Sequence, residues 1–145
     1  MATVNDVLET KGLDVLTAEE GMCVLDAVHR MNEHHIGSLV VVDCGRVVGV
    51  FTERDVLRRI VGERRDPTHT LVGDVMTRKV VCCTPDTSLN EVQSIMKDRR
   101  IRHLPVVDDF GTLLGMLSMG DLNAWSLRDG QVTIQYLQEY IHGRV

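Results

Sequence analysis

"GVFTERDVL" at residues 49–57 and "GMLSMGDLN" at residues 115–123 follow one plan: a glycine, two apolar residues, a hydroxyl, two spacers and an aspartate. Thr52 corresponds to Ser118, and Asp55 to Asp121. A plan of this length met twice in 145 residues points to an internal duplication, which must be settled before any element is assigned.

The duplication extends outward from both stretches. "IGSLVVVD" at 36–43 aligns with "IRHLPVVD" at 101–108 at an offset of 65, and Gly49 aligns with Gly115 at 66, so the second turn carries one inserted residue. Upstream, "CVLDAVHRM" at 23–31 matches "SLNEVQSIM" at 88–96. Val24, Ala27 and Met31 then correspond to Leu89, Val92 and Met96, the three-and-four spacing of one helix face. Earlier still, "VNDVL" at 4–8 resembles "VGDVM" at 72–76. Each is followed by a short apolar step, Val15-Leu16 or Val80-Val81, expected as a small strand.

Each half thus reads as a lead-in, a small strand, a helix, a two-stranded hairpin and a second helix. The hairpin turns fall at residues 43–46 and 108–112, with Gly45 and Gly111 able to take positive φ. Pro105 has no amide to donate, so its strand is expected at an edge or with that side open. The class is α/β (α+β), two β-α-β-β-α repeats with sheets covered by helices on one face and by the other repeat on the other. The polar, proline-containing stretch 62–70 is the linker. The divisions are residues 1–66, 67–128 and a tail at 129–145. In the tail Ile134, Leu137 and Ile141 form a helical stripe, either packed on its own domain or used for dimerisation.

Composition narrows the function. The chain is 43% hydrophobic, enough for a proper core, and its formal charge of -5 argues against bulk nucleic-acid binding. No apolar run is long enough to span a bilayer and no signal segment opens the chain, so a cytoplasmic protein without membrane contact is expected. Cys23, Cys44, Cys82 and Cys83 lack metal-ligand spacing and are expected as free buried thiols, with no metal. None of the motifs G-x-S-x-G, H-E-x-x-H or G-x-x-x-x-G-K occurs, which argues against an enzyme.

Thr52 and Asp55, like Ser118 and Asp121, stand where a strand gives way to a helix. One reading is a capping box, with the hydroxyl accepting from an orphan amide and the acid reaching back. The other is a ligand site, in which the helix N-terminus and hydroxyl meet a phosphate while the carboxylate accepts both hydroxyls of a ribose. The pattern alone leaves both open.

Two repeats carrying G-h-h-[TS]-x-x-D after a hairpin strand and I-[GR]-x-h-h-V-V-D before it resemble a pair of cystathionine-β-synthase (CBS) domains, over residues 4–127. The resemblance implies a stand-alone Bateman-type regulatory module. Its repeats would pack through their sheets about a pseudo-twofold axis, with two clefts for adenosine nucleotides, and two modules would form a disc-shaped homodimer. It assigns ribose to Asp55 and Asp121 and phosphate to Thr52 and Ser118. Gly37, Ser38 and Leu39, and in the second repeat Arg102, His103, Leu104 and Pro105, then form the adenine slot and phosphate contacts, with Val80 and Val81 also counted in the cleft. Val40 stands where the family usually has proline.

Basic residues weight the second repeat. "KDRRIRH" at 97–103 gathers five basic residues around one acid, and Arg102, beyond the helix, has the planar fork that suits phosphate. Arg54 is a second phosphate candidate, replaced by Gly120 in the other repeat. His34 and His35 read as surface residues. The expected ligand is AMP, then ATP or ADP, with NAD(H) as an alternative. The expected role is to signal energy or redox state to a partner protein, and a protein-interaction scaffold with degenerate clefts is the other non-catalytic reading.

Overall fold

The spacing seen in sequence forms helices with the expected faces inward. In α2 (Val24–His34) the buried residues are Val24, Ala27 and Met31; in α5 (Leu89–Arg99) they are Leu89, Val92 and Met96. Each helix ends on a left-handed residue at the same repeat position, His35 at φ +53 and Arg100 at φ +54. The computed structural model describes residues 1–128, so the tail stripe of Ile134, Leu137 and Ile141 lies outside the described residues. No helix among the described residues is long and apolar enough to cross a membrane.

In the first half α1 (Val4–Lys11), β1 (Thr17–Ala18) and α2 precede the hairpin β2 (Ser38–Asp43) and β3 (Arg46–Thr52). A helical turn, α3 (Glu53–Asp55), then runs on as a π-helix over Val56–Val61. In the second half α4 (Val72–Val75) and α5 precede the hairpin β4 (His103–Val107) and β5 (Leu113–Ser118), which leads into α6 (Met119–Arg128). The sheets are β1-β2-β3 and β4-β5, with antiparallel hairpins and a parallel β1.

The small strands lie beyond the apolar steps that suggested them. β1 is at Thr17–Ala18 rather than Val15-Leu16, and in the second half Cys83 alone bridges β4, after Val80 and Val81. Pairing fixes the register: Ala18 lies opposite Val41 and Cys83 opposite Val106. These small side chains are buried, whereas the valines and leucine before them are only half-buried. The β4 strand accommodates Pro105 because its pairing with Cys83 asks only for the proline carbonyl, which accepts the Cys83 amide at 2.9 Å, while the Val107 amide donates to the Cys83 carbonyl at 2.8 Å.

All four cysteines are free, but only Cys83 is buried. Burial, with the charges of Cys82 and Glu91, pushes its thiol up to about 12. Cys44 is exposed because it sits in the first hairpin turn, at φ +52 beside Gly45 at φ +81.

The halves meet about a pseudo-twofold axis at the turn ends of β3 and β5. The Val47 amide donates to the Gly111 carbonyl at 3.0 Å and the Leu113 amide to Gly45 at 2.9 Å, a reciprocal pair across the bridge between Arg46 and Thr112. The lead-in helices are exchanged. Val4, Val7 and Leu8 of α1 join the core of Leu104, Val106 and Leu117, while Val72, Val75 and Met76 join that of Leu39, Val41 and Phe51. Matching hydrogen bonds hold both: Val4 and Asn5 amides to Thr87 and Pro85 carbonyls, Val72 and Gly73 amides to Met22 and Glu20.

This exchange explains the repeated glycines. At Gly49 a Cβ would stand 2.7 Å from Met76 Sδ and 3.0 Å from the Thr77 carbonyl; at Gly115 it would stand 3.0 Å from Leu8 Cδ2. Each glycine lets the other half's lead-in cross its strand.

Candidate functional site

Both hydroxyl-aspartate pairs form the cap. Asp55 Oδ2 accepts from the Thr52 amide at 3.0 Å and hydroxyl at 3.2 Å, and the Asp55 amide returns a bond to Thr52 Oγ1. In the second repeat the Ser118 amide donates to Asp121 Oδ2 at 2.8 Å and the Asp121 amide to Ser118 Oγ at 3.1 Å. The first amide of each helix is taken too, Glu53 by Gly37 at 3.0 Å and Met119 by Arg102 at 2.9 Å. Two of the first three amides are thus used inside the chain. An anion at either end must rely mainly on side-chain cations.

The surroundings of the two carboxylates differ. Asp55 has only 7% of its side chain exposed; its Oδ1 accepts from Thr77 Oγ1 at 3.1 Å, with Arg59 Nε 3.9 Å away. That arginine is itself committed to the Val75 and Met76 carbonyls, at 3.0 Å each. Glu53 lies against Gly37, where a Cβ would come within 3.1 Å of its carboxylate carbon. Asp55 is therefore enclosed, and an exposed acid, Glu53, stands beside Gly37. Arg54 is exposed there and, among the described residues, pairs with no carboxylate.

Asp121 has 22% of its side chain exposed and pairs with Lys11 Nζ at 2.6 Å; Lys11 also donates to the Met116 carbonyl at 2.7 Å. Burial alone would raise the Asp121 carboxyl, but bonds from Lys11 and Ser118 outweigh it and hold the group below the ordinary carboxylate value. His103 lies across the hairpin from Ser118. Shielding of its ring, then the charges of Lys11 and Arg102, hold it below the ordinary imidazole value, with Asp121 acting the other way. Arg102 is exposed and pairs with no carboxylate among the described residues.

The hairpin thus brings Arg102, His103, Ser118 and Asp121 to one end of β4 and β5, as it brings Gly37, Ser38, Thr52 and Asp55 to one end of β2 and β3. Leu39 and Leu104, expected among the contact residues, are fully buried in the two cores. Alternation along the strand turns them toward the helices. Pro105 is also buried, Val81 packs on the second core and Val80 is half-buried. Lys11 and Thr77 were missed in sequence, because each reaches the cleft through the exchanged lead-ins, Lys11 from 110 residues away. A recess of about 440 Å³ lies at the turn end of the first sheet, lined by Glu19, Glu20, Gly21 and residues 42–45.

Comparison with known proteins agrees with this architecture. The CBS domain family model matches residues 4–62 and 72–128. The mitochondrial CBS domain-containing protein CBSX3 of Arabidopsis thaliana is 38% identical over 150 residues, covering 97% of this chain and 72% of its own. The CBS domain-containing protein YhcV of Bacillus subtilis is 33% identical over 122 residues, with 84% of each covered. Among solved structures, a protein with CBS domains from Burkholderia ambifaria superposes with a TM-score of 0.81 at 38% identity, over 92% of this chain and 99% of that one. The CBS domain pair of protein MJ0100, solved with 5'-methylthioadenosine and S-adenosyl-L-methionine, superposes with a TM-score of 0.75 at 25% identity, over 91% and 99%. Two matched segments, two hairpins related by a pseudo-twofold axis and the exchanged lead-ins lead to one conclusion: the chain belongs to the CBS-domain family, as a tandem pair.

Proposed function

We propose that this pair is a non-catalytic regulatory module that binds an adenosine nucleotide, AMP first, in the second cleft. The observation that carries the reading is the grouping of Lys11, Arg102 and His103 around Asp121, a carboxylate still partly open to solvent. A ribose diol suits the carboxylate, a phosphate suits the Lys11 ammonium and the Arg102 guanidinium, and a neutral His103 ring can still donate one bond. The MJ0100 pair holds adenosine ligands, which supports the ligand class.

The first cleft is the weaker site, because Asp55 is enclosed and Glu53 opposes an anion. The module works as a homodimer in the cytoplasm and passes its state to a partner protein. Leu57 and Val61, each 65% exposed on the π-helix, support an outer apolar contact. Binding changes the shape of the module only insofar as the ligand prefers one state.

The test is a melting-temperature panel with AMP, ADP, ATP, NAD+ and adenosine on wild type and Asp121→Ala, with light scattering for mass. The reading expects a shift with AMP that the variant loses, and a dimer mass. No shift with any member at millimolar concentration overturns the nucleotide assignment; a monomer overturns the dimer.

A further inference from the structure

The geometry points to Lys11 as the residue that makes the second cleft select anionic adenosine ligands over uncharged ones, by occupying Asp121 until a ligand offers it another partner. This rests on the proposed nucleotide site and adds the device that sets its charge preference.

Lys11 is delivered by a fixed element. It ends α1, whose Val4, Val7 and Leu8 are buried in the second core, and Gly12 at φ +94 turns the chain away immediately after it. Its stem therefore starts from a defined point, and its ammonium spans the Met116 carbonyl and Asp121 Oδ2. Asp121 Oδ2 also accepts the Ser118 amide, whereas Oδ1 has no partner among the described residues. One oxygen is thus open to a ribose hydroxyl, and the other must be shared with or yielded by Lys11 for the diol to engage both.

The consequence depends on the ligand's charge. An uncharged nucleoside that takes Oδ2 displaces the ammonium from its counter-charge in a partly shielded site that Arg102 already makes positive. A ligand with a phosphate supplies a new anionic partner for the same ammonium. The first cleft lacks this device. There the exchanged lead-in brings Thr77, whose neutral hydroxyl holds Asp55 Oδ1; Lys79, the counterpart of Lys11 after α4, is exposed and pairs with no carboxylate among the described residues.

The experiment is calorimetric titration of the full chain with AMP, adenosine and 5'-methylthioadenosine, the last two uncharged at the 5' end. Wild type should bind AMP well above both. Lys11→Met, which keeps an unbranched stem, should weaken AMP by on the order of tenfold and strengthen adenosine and methylthioadenosine, so that the preference collapses. Lys11→Arg keeps the charge and should keep the preference. If AMP binds wild type and Lys11→Met changes all three ligands by the same factor or not at all, the selection role is wrong while the nucleotide site stands. Loss of the preference in a folded Lys11→Arg also overturns it. If wild type binds none of the three, the site itself is wrong and the selection role falls with it.

Discussion

In the first repeat the aspartate after the hairpin takes its long-range bond from a threonine hydroxyl and has 7% of its side chain exposed; in the second it faces a lysine and has 22% exposed. Local sequence makes both caps alike, so the difference comes from what the exchanged lead-in delivers. A duplicated motif can therefore keep its cap in both copies while the surroundings of its carboxylate diverge. The two aspartates should separate when each is truncated.

The largest effect is expected on the empty protein at Asp55. Asp55→Ala removes the cap and leaves Thr77 Oγ1 and the Thr52 amide without their acceptor in an enclosed site, a loss of about 2 to 3 kcal/mol. Asp121→Ala, at a partly open site, should cost about 0.5 to 1 kcal/mol. Thermal unfolding without nucleotide measures both, and equal losses would erase the contrast between the clefts.

With ligand the order reverses. A nucleotide that binds only the folded chain stabilises it by about 2.7 kcal/mol at a hundredfold excess over Kd. Asp121→Ala should abolish most of that increment, and Asp55→Ala should keep it. An AMP shift that survives Asp121→Ala but vanishes in a folded Asp55→Ala would move the principal site to the first cleft.

The contrast was only half legible in the sequence. Helix faces, hairpins, the positive φ of the turn glycines Gly45 and Gly111 and the two caps follow from spacing within a few residues, and the structure has them all. Lys11 and Thr77 are another kind of fact. Their partners are chosen by which core α1 and α4 enter, and the short apolar patterns "VNDVL" and "VGDVM" fit either core equally well. Gly49 and Gly115 held the clue, since a glycine recurring in a buried strand signals a close backbone approach.

Those glycines give the next comparison. Gly49→Ala would press on Thr77 backbone as well as Met76 and should cost about 1 to 3 kcal/mol, because backbone cannot step aside. Gly115→Ala meets only leucine side-chain tips, Leu8 at 3.0 Å and Leu13 at 3.8 Å, and should cost less than about 1 kcal/mol. Chemical denaturation of the two variants ranks them, and the reverse ranking would mean that α1 crosses its strand more tightly than the segment after α4.

The smallest effect concerns pH and the position where the repeats place Ser38 and His103. In the folded chain ring shielding, Lys11 and Arg102 hold His103 below its ordinary value, against the pull of Asp121. The unfolded chain therefore binds more protons there, and stability rises with pH through this window. The contribution is intact above the unfolded imidazole value of about 6.5 and declines as pH falls from there toward the lowered folded value. Because His103 is exposed overall, screening limits the effect to about 0.5 kcal/mol at most. His103→Ser, which copies the first repeat, should remove it. Between pH 7.5 and 5.5 the wild type should thus lose about that much more stability than the variant, with the other histidines cancelling in the difference. Asp121 acts lower on the scale: its carboxyl is held below the ordinary value, so its contribution is complete above about pH 4 and fades only as pH falls through the depressed folded value. Asp121 stays ionised between pH 7.5 and 5.5, so the His103→Ser difference reads the shielding of the ring together with the charges of Lys11, Arg102 and Asp121 upon it. A wild type that gains on the variant as pH falls would mean that Asp121 outweighs the shielding of the ring and the charges of Lys11 and Arg102 together.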